Sequence, residues 1–341
     1  MIIESIKELI EGKDLSVQGM KESMDEIMDG KATPAQIGAF LSLLRVKGET
    51  VDEIAQAAKV MREKAFSIEV KGPVMDTCST GGTGINHFNI STTVAFVIAG
   101  AGVKVAKHGN RAISGRCGSA DVLEELGVKV DIPPEQVKNC IENAGIGFLF
   151  APVFHKAMKN VMGPRREMAI RTVFNILGPL TNPASATHQL LGVYDPDLTG
   201  VMAEVLGKLG VKRAMVVHGD GGLDEISLTG PTKVSEVKEG KVDTFEVSPE
   251  DFGLSNCRIE DIKGGDKEYN AKTLKGILEG DLKGAYRDAV LLNASASFVI
   301  LEKVSDYRQG VEIAEDSIDS KKALNKLKEL IECSAGLSSR E

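Results

Sequence analysis

The sequence predicts an α/β protein in which a small N-terminal all-helical domain precedes a larger domain with a mainly parallel central sheet flanked by helices. Residues 1–67 show only helix-type spacing of apolar residues, whereas from Gly72 onward short apolar runs alternate with helical segments. Such alternation is typical of βαβ units, which build parallel sheets covered on both faces. We therefore assign residues 1–70 to the helical domain and 71–333 to the α/β domain. We interpret 334–341 as a mobile tail and expect helices around 160–180 to join the helical domain in space.

Four helices account for the N-terminal part. Apolar residues recur at helical spacing over 2–10 and 17–28, which predicts the first two helices. Thr33-Pro34-Ala35-Gln36 and Thr50-Val51-Asp52-Glu53 are capping boxes, so we expect the third and fourth helices to begin there. We expect an exposed apolar face of this domain to form a dimer surface.

Strands and helices are expected to alternate in the α/β part. Its strands are expected at 74–75, 103–106, 145–150, 188–194 and 214–218, with a hairpin over 233–247 that turns at Glu239-Gly240. Its helices are expected at 90–101, 133–143, 153–161, from 163 to 174, at 197–209 and from 271 to the end, with 289–301 as central core. Residues 175–183, rich in Pro, Gly and Asn, are expected to form a rigid loop.

Composition narrows the class of protein. The chain has 341 residues, with 42% hydrophobic and 26% charged residues, which is ordinary for a globular protein. A net charge of −8 and only 4% aromatic residues argue against nucleic-acid and membrane partners. Five scattered cysteines without a CxxC pair favour a reducing compartment over a disulfide framework or a zinc site. No basic leader or membrane-length apolar run is present, so we predict a cytoplasmic location.

Two polar clusters follow consecutive predicted strands. The first contains Thr80-Gly81-Gly82-Thr83-Gly84 before a helix, an arrangement whose free N–H groups and helix dipole favour anions. Its spacing matches neither the Rossmann fingerprint nor the P-loop, and alone it favours a simple tight turn over an anion site. The second cluster is Lys107-His108-Gly109-Asn110-Arg111. Because both clusters would meet at one sheet edge, together they predict a phosphate-binding crevice.

Other side chains suggest a metal site and a binding site for a ligand carboxylate. Asp224-Glu225 follows a strand and is either a solvated turn or a magnesium site, and Ser91 is either an N-cap or a third ligand. Arg165 and Arg166 lie near a predicted helix start, where the dipole disfavours cations, so at least one should have an anionic partner.

The histidines divide into two groups, and no covalent catalyst stands out. His108 is equally a structural or a ligand-facing residue, while we interpret His155, His188 and His218 as structural. Neither a nucleophile elbow nor a cysteine–histidine pair is evident. The residues therefore describe a site for a phosphorylated, metal-chelating substrate, in which transfer depends on positioning and leaving-group stabilisation.

Nearly the whole chain resembles the anthranilate phosphoribosyltransferase family of tryptophan biosynthesis. The motifs are Thr80-Gly81-Gly82 with Phe88-Asn89-Ile90-Ser91-Thr92, Lys107-His108-Gly109-Asn110-Arg111-Ala112 with Gly118-Ser119-Ala120-Asp121, the run from Arg171 to Pro183, and Leu223-Asp224-Glu225. The resemblance implies a nucleoside phosphorylase/phosphoribosyltransferase-like fold and a homodimer formed through the helical domain. It also implies transfer of the phosphoribosyl group of phosphoribosyl pyrophosphate (PRPP) to the amine of anthranilate, with Mg²⁺ as cofactor, giving N-(5-phosphoribosyl)anthranilate and pyrophosphate.

The resemblance also implies site residues, position by position. Those for PRPP are Ser79, Gly82, Thr83, His87, Asn89, Ile90, Ser91, Thr92, Lys107, His108, Gly109, Asn110, Arg111, Ala112, Ile113, Ser114, Gly115 and Ser119. Those for anthranilate are Ser79, Asn110 and Arg165, of which Arg165 would bind the carboxylate. Those for Mg²⁺ are Ser91, Asp224 and Glu225.

Three positions depart from the usual family pattern. Ser79 stands where Gly is common, Thr83 where Asp is common, and Gly115 where Ser is common. These changes affect the expected affinities and magnesium optimum more than the reaction.

Three alternative functions remain open from the sequence: a pyrimidine nucleoside phosphorylase, a related transferase with another aromatic acceptor, and an inactive relative that binds nucleic acid.

Overall fold

The architecture comes from a computed structural model that describes residues 1–112 and 117–336. The α-helices are α1 (Ile2–Ile10), α2 (Val17–Met28), α3 (Pro34–Lys47), α4 (Val51–Lys64), α5 (Ile90–Gly100), α6 (Ser119–Glu125), α7 (Pro134–Asn143), α8 (Ala151–Phe154), α9 (Lys159–Met168), α10 (Phe174–Leu177), α11 (Leu198–Lys208), α12 (Lys267–Leu278), α13 (Ala285–Ile300), α14 (Tyr307–Asp319) and α15 (Lys322–Ser334). The strands are β1 (Met75–Ser79), β2 (Val105–Gly109), β3 (Ile146–Phe150), β4 (His188–Gly192), β5 (Arg213–Gly219), β6 (Thr232–Lys238) and β7 (Lys241–Val247). No helix within the described ranges is both long and apolar enough to cross a membrane.

Helices α3 and α4 begin where their two capping boxes predicted. The Thr33 and Thr50 side chains each accept a hydrogen bond from the backbone N–H three residues later. The Gln36 and Glu53 side-chain oxygens in turn accept from the backbone N–H of Thr33 and Thr50, so both capping boxes are complete. Ser16 caps α2 in the simpler way, by accepting from Gly19 N at 3.0 Å. Capping side chains satisfy N–H groups that a helix leaves unpaired at its start, which is why these boundaries were readable locally.

One seven-stranded sheet forms the centre of the α/β part, in the order β3-β2-β1-β4-β5-β6-β7. The first five strands in chain order pair in parallel, while β6 and β7 are antiparallel. The β6–β7 hairpin turns at Glu239 and Gly240, both with positive φ, as a two-residue hairpin turn requires. The predicted mainly parallel sheet and the hairpin are confirmed.

Two hydrophobic clusters hold the fold together. The larger contains α13, whose residues from Ala289 to Ile300 are all buried, packed with α5 and the sheet. The second joins Leu44 and Met61 of the N-terminal helices to Leu191 and Val216 on β4 and β5. The N-terminal helices therefore share a core with one face of the sheet. Helix α9 also packs on α2 and α3.

Two strands extend further into polar sequence than predicted. β1 continues through Asp76 to Ser79, and β2 continues through Lys107 and His108. Buried polar groups are tolerated in strands when they are hydrogen-bonded. Asp76 meets this condition because its carboxylate accepts from Asn182 Nδ2 at 2.7 Å and from His108 N at 3.2 Å. Burial raises the pKa of Asp76 to about 6, against the opposing charge of Lys107.

The prediction for residues 163–174 was wrong. Pro164 does not start a helix: it lies inside α9, which ends at Met168, and Ala169 follows in the left-handed conformation (φ 51°). The next helix, α10, starts at Phe174, where the predicted helix was expected to end, and runs to Leu177 in the segment expected to be a loop. Proline favours the first turn of a helix but does not exclude a later position, and this ambiguity produced the error. Ser334, expected to open a mobile tail, is instead the buried last residue of α15 and donates to Ile331 O, while 337–341 lie outside the described residues.

Candidate active site

The candidate site lies at the carboxyl ends of the central strands. β1 has β2 on one side and β4 on the other, so the strand order reverses between β1 and β4. Connections diverge at such a reversal and leave a crevice at the strand ends, which is where open α/β sheets bind ligands. The loops that follow β1, β2 and β5 carry most of the predicted site residues, which is why residues far apart in sequence meet here.

The diglycine turn after β1 is tethered from two distant segments. Gly81 N donates to Asp224 Oδ2 at 3.0 Å, and the carbonyl of Gly82 accepts from the guanidinium of Arg171. Arg171 also stacks over Tyr194, with Cζ 4.1 Å from the ring centroid. Both glycines have positive φ, 63° and 76°, which residues with a Cβ adopt only at a cost. The turn is therefore held in one conformation by its ends and by its composition.

A charged histidine faces the predicted metal ligand Asp224. His87 Nε2 lies 3.1 Å from Asp224 Oδ1, and its Nδ1 lies 2.8 Å from the carbonyl oxygen of Phe88. Since both neighbours are hydrogen-bond acceptors, both ring nitrogens carry protons. Burial lowers the pKa of His87, but the hydrogen bond to Asp224 and the charges of Asp224 and Glu225 outweigh burial and raise it to about 9. Burial likewise opposes ionisation of Asp224, yet hydrogen bonds from His87 and Ser79 leave its pKa lowered.

The three predicted metal ligands converge beside this pair. Glu225 Oε1 accepts from Ser91 N at 3.1 Å, and Ser91 Oγ accepts from Lys107 Nζ at 3.3 Å. Burial, and then the charge of Asp224, raise the pKa of Glu225 to about 7. Burial lowers the pKa of Lys107. Two buried carboxylates next to a hydroxyl oxygen form a set of hard donors, and the charge of Asp224 adds to the effect of burial on Glu225. This donor set fits a divalent cation such as Mg²⁺.

Helix α5 presents its N-terminus to the crevice. Ile90 and Thr92, both predicted to contact PRPP, are only 1% exposed, so they can offer a ligand backbone groups but not side chains. Asn89 precedes them and is half-buried, and Thr83 Oγ1 accepts from the backbone N–H of Ile85 at 3.2 Å. Backbone N–H groups at a helix start are suited to bind phosphate oxygens.

The polar run after β2 continues the site up to Ala112. Asn110 Oδ1 accepts from Arg111 N at 2.8 Å, and the Asn110 carbonyl accepts from Ser119 Oγ at 3.4 Å. The guanidinium of Arg111 pairs with Glu124 on α6 at 2.5 Å. A ligand that uses the charge of Arg111 must therefore compete with this carboxylate. The predicted PRPP residues Ile113, Ser114 and Gly115 lie outside the described residues.

A cavity of about 570 Å³ opens next to the strand ends, which is a volume typical of small-molecule sites. It is lined by Met61, Cys78, Ser79, Thr80, His108, Gly109, Asn110, Arg111, Ala112, Ala151, Pro152, His155, Lys156, Met158, Lys159, Met162, Arg165, Phe174, Asn175, Gly178, Pro179 and Thr181. The three residues predicted for the aromatic acceptor, Ser79, Asn110 and Arg165, all belong to this lining. The cavity therefore brings together side chains from β1, the loop after β2, and α9.

Two neutral histidines form part of the cavity wall. Their ring centroids lie 5.1 Å apart, and burial lowers the pKa of His108 to about 3 and that of His155 to about 4. His108 Nδ1 lies 3.1 Å from the carbonyl oxygen of Gly178, so Nδ1 carries the proton and Nε2 has a free lone pair. Within the described ranges, both Nε2 atoms are buried without a hydrogen-bond partner. We interpreted His155 as structural from the sequence, and that interpretation does not account for its unpartnered nitrogen.

Arg165 occupies a different local position from the predicted one. Arg165 and Arg166 lie in the last turn of α9, where the helix dipole favours cations, so the expected mismatch with a helix start is absent. Arg165 is half-buried, with Cζ 5.5 Å from the Phe174 ring centroid, whereas Arg166 is exposed. Among the described residues no carboxylate pairs with Arg165, and burial alone lowers the pKa of its guanidinium. The positive charge of Arg165 is therefore available to a ligand in the cavity.

Sequence reasoning missed two residues that reach the site from distant segments. Arg171, which contacts the diglycine turn, was noted only as part of a motif. Asn270 Nδ2 on α12 donates to Asn89 Oδ1 at 3.0 Å, and this segment was not considered at all. A signal for the second was present, because Gly264-Gly265-Asp266 predicts a turn followed by a helix N-cap.

The chain matches two family models. The model described as the glycosyl transferase family a/b domain matches residues 71–324, and that of the glycosyl transferase family helical bundle domain matches residues 3–65. The anthranilate phosphoribosyltransferase of Acetivibrio thermocellus is 54% identical over 333 residues, covering 97% of this chain and 96% of that protein. The enzyme of the same name from Persephonella marina is 53% identical over 338 residues, covering 98% and 100%.

Solved structures agree with these relatives. The crystal structure of anthranilate phosphoribosyltransferase from Thermus thermophilus matches with a TM-score of 0.92 at 43% identity, covering 97% of this chain and 99% of that one. The Saccharomyces cerevisiae enzyme in complex with PRPP and Mg matches with a TM-score of 0.91 at 28% identity, covering 98% of both chains. The yeast enzyme in complex with 4-fluoroanthranilate matches with a TM-score of 0.89 at 28% identity, again covering 98% of both.

Proposed function

This chain belongs to the anthranilate phosphoribosyltransferase family, and from that premise we propose that its crevice and cavity are the donor and acceptor halves of one active site. The enzyme transfers the phosphoribosyl group of PRPP to the amine of anthranilate, in tryptophan biosynthesis. The observation that carries the assignment of residues is the convergence of Ser79, Asn110 and Arg165 on one cavity beside the diglycine turn. A carboxylate acceptor and a diphosphate donor would then meet at the strand ends.

The donor half would bind the diphosphate mainly through backbone groups. The N–H groups of Gly82 and Thr92 would be the anion donors, because those of Gly81 and Ser91 already donate to Asp224 and Glu225. The turn itself is held in shape by Asp224 and Arg171. The ammonium group of Lys107 donates a hydrogen bond to Ser91 Oγ and so adds positive charge beside the proposed donor site. These contacts support binding of a doubly phosphorylated sugar without any covalent attachment to the protein.

The predicted metal site completes the donor half. Mg²⁺ would be held by Ser91, Asp224 and Glu225, and when bound it supplies positive charge against the departing diphosphate. The chain's own contribution is to keep Asp224 ionised through His87 and to hold Glu225 at the N-terminus of α5. Both carboxylates are thereby oriented before any ligand arrives, which reduces the free energy needed to assemble the site.

The acceptor half would orient the amine rather than activate it. Arg165 would hold the anthranilate carboxylate, since its guanidinium is free of internal ion pairs among the described residues. His108, a neutral imidazole in the cavity lining, would form part of the wall against which the acceptor lies. An arylamine is unprotonated at neutral pH, so it attacks as the C1–O bond to the diphosphate breaks, through an oxocarbenium-like transition state, and afterwards loses its proton. Catalysis then comes from proximity and charge stabilisation.

The assembly, the domain division and the location are proposed on separate grounds. A homodimer through the helical domain is supported by apolar side chains left on its surface, among them Ile10, 66% exposed, and Val46, 86% exposed. The helical part would comprise residues 1–70 with the helices around 160–180, in keeping with the packing of α9 on α2 and α3. Five free thiols are in keeping with the reducing cytoplasm.

The decisive experiment mixes the protein with PRPP, Mg²⁺ and anthranilate and follows the loss of anthranilate fluorescence together with pyrophosphate release. We expect both signals to advance in equal amounts and to stop when PRPP or Mg²⁺ is omitted. A parallel reaction with a pyrimidine nucleoside and inorganic phosphate separates a phosphorylase from a transferase. Constant anthranilate fluorescence in the complete mixture would refute the proposed function.

A further inference from the structure

The loop that would hold the donor rests on a second segment much further along the chain. Asn86 Nδ2 donates to Gly264 O at 2.7 Å, and Gly264 N donates back to Asn86 O at 2.9 Å. Phe88 N donates to Ile262 O at 3.3 Å. Residues 262–270 therefore form a wall behind the donor loop, and we call this segment the buttress.

The buttress approaches the donor loop so closely that only glycine fits at its centre. A Cβ built on Gly264 would lie 2.3 Å from the carbonyl oxygen of His87 and 2.8 Å from Phe88 N, both backbone atoms that cannot move aside. The same stretch of the loop carries the imidazole that contacts Asp224. The position of the buttress is thus coupled to the position of donor-site groups.

Asn270, at the end of the buttress, sets the orientation of one donor-site side chain. It is 2% exposed, and its Oδ1 accepts from Gly265 N at 2.8 Å. With its oxygen occupied by a backbone N–H, its Nδ2 must face Asn89, where it donates to Oδ1 at 3.0 Å. Asn89 Nδ2 then faces the other way and donates to the carbonyl of Cys117 at 3.3 Å. The Asn89 amide is therefore held at both ends, by Asn270 at Oδ1 and by the Cys117 carbonyl at Nδ2.

We propose that Asn270 is a positioning residue for the phosphoribosyl donor, acting through Asn89. This inference rests on the proposed function, because it takes Asn89 to be a donor-binding residue. Without Asn270, the Asn89 amide keeps only its hydrogen bond to the Cys117 carbonyl, so the N-cap residue of α5 is held less firmly. The donor must then order Asn89 on binding, which weakens donor binding but leaves the acceptor cavity untouched.

The test is a double-mutant cycle read out in two KM values. Removing one hydrogen bond of this kind costs roughly a factor of five to ten, so Asn270→Ala should raise the KM for PRPP by about that factor. The KM for anthranilate should change by less than about twofold, since Asn270 does not belong to the cavity lining. In an Asn89→Ala background, Asn270→Ala should produce no further rise in the KM for PRPP, because its partner is already gone.

Two further variants guard against a folding defect. Asn270→Asp keeps the acceptor for Gly265 N but turns an oxygen towards Asn89 Oδ1, so it should raise the KM for PRPP at least as much as alanine does. Asn325→Ala, at an exposed position in α15, is the matched control and should change neither KM.

The possible outcomes separate this inference from the function on which it rests. If the unaltered protein consumes no anthranilate, the proposed function fails, and calorimetric titration with PRPP still tests Asn270. If the unaltered protein is active but the effects of the two substitutions on the KM for PRPP multiply in the double variant, Asn270 does not act through Asn89. Equal rises in both KM values would likewise overturn the positioning role, since a general loss of structure affects both substrates.

Discussion

Replacing Arg165 with alanine should weaken anthranilate binding selectively. The guanidinium lines the acceptor cavity, and among the described residues it has no carboxylate partner. Its charge is therefore available to the substrate at no cost of breaking an internal ion pair. A hydrogen bond to a charged group contributes about 1.5–3 kcal/mol, and each 1.4 kcal/mol corresponds to a factor of about ten. We expect Arg165→Ala to raise the KM for anthranilate about 10- to 150-fold.

The same substitution should leave donor binding and folding nearly unchanged. Arg165 contacts Phe174 in the cavity wall, and loss of one partly exposed cation–π contact costs about 0.5–1 kcal/mol of stability. Within residues 1–112 and 117–336 the change leaves no buried carboxylate unpaired, so we expect the KM for PRPP to rise by less than about threefold. Arg165→Lys retains the charge but not the planar fork, and it should recover only part of the anthranilate affinity.

The assay follows anthranilate fluorescence while each substrate is varied in turn. Arg166→Ala is the matched control, because Arg166 is the next residue on the same helical turn but is exposed. Its two KM values should equal those of the unaltered protein. Equal losses for PRPP and anthranilate in Arg165→Ala, or an equal effect of Arg166→Ala, would refute the role assigned to Arg165.

Three other changes have definite expected results. Thr83→Asp retains an oxygen that can accept from Ile85 N but adds a carboxylate beside the diphosphate, so the magnesium dependence of the rate should shift. Magnesium titrations that coincide with those of the unaltered protein and of the control Thr83→Asn would contradict this expectation. His108 and His155 have folded-state pKa values of about 3 and about 4, below the unfolded value, so their stabilisation is present above pH 6.5 and is lost as pH falls towards 4. Asp76 and Glu225, whose pKa values are raised, change stability in the opposite direction over this range but do so equally in a His155→Gln variant. Denaturant titrations should therefore show the free energy of unfolding of the unaltered protein, measured relative to His155→Gln, falling by up to roughly 1.4 kcal/mol per pH unit between pH 6 and 4.5; a difference that does not change with pH would contradict a neutral His155. Gly264→Ala should displace the donor loop and raise the KM for PRPP. The control Gly200→Ala, where a Cβ meets no atom within 4 Å, should leave this KM unchanged. Equal KM values for PRPP in the two variants would show that the close approach at Gly264 does not position the donor loop.

Local signals predicted elements well where the stabilising groups are neighbours in the chain. The capping boxes at Thr33 and Thr50 located two helix starts, and Glu239-Gly240 located the hairpin turn. Pro164 misled the prediction, because a proline early in a helix resembles a proline at its start. The strand ends were misplaced at Asp76 for a different reason: its burial depends on Asn182, which is 106 residues away.

The candidate site shows the same division. Polar clusters after two consecutive strands indicated a phosphate crevice, and the family resemblance assigned residues to it. The charge of His87 could not be inferred, since it requires Asp224 to lie 3.1 Å away across 137 residues. The free lone pair of His108 likewise depends on a carbonyl 70 residues distant.

The sequence by itself determined the alternation of strands and helices, the starts of the helices with capping boxes, and the polar residues that follow the strands. These follow from the spacing of apolar residues and from hydrogen bonds within a turn or two of the chain. Only the tertiary structure decided which of those residues meet: Arg171 at Gly82, Asn270 at Asn89, and Arg165 in the wall of an acceptor cavity. The physical reason is that such contacts depend on strand order and core packing, which bring together segments 89 and 181 residues apart, and no local propensity encodes that distance.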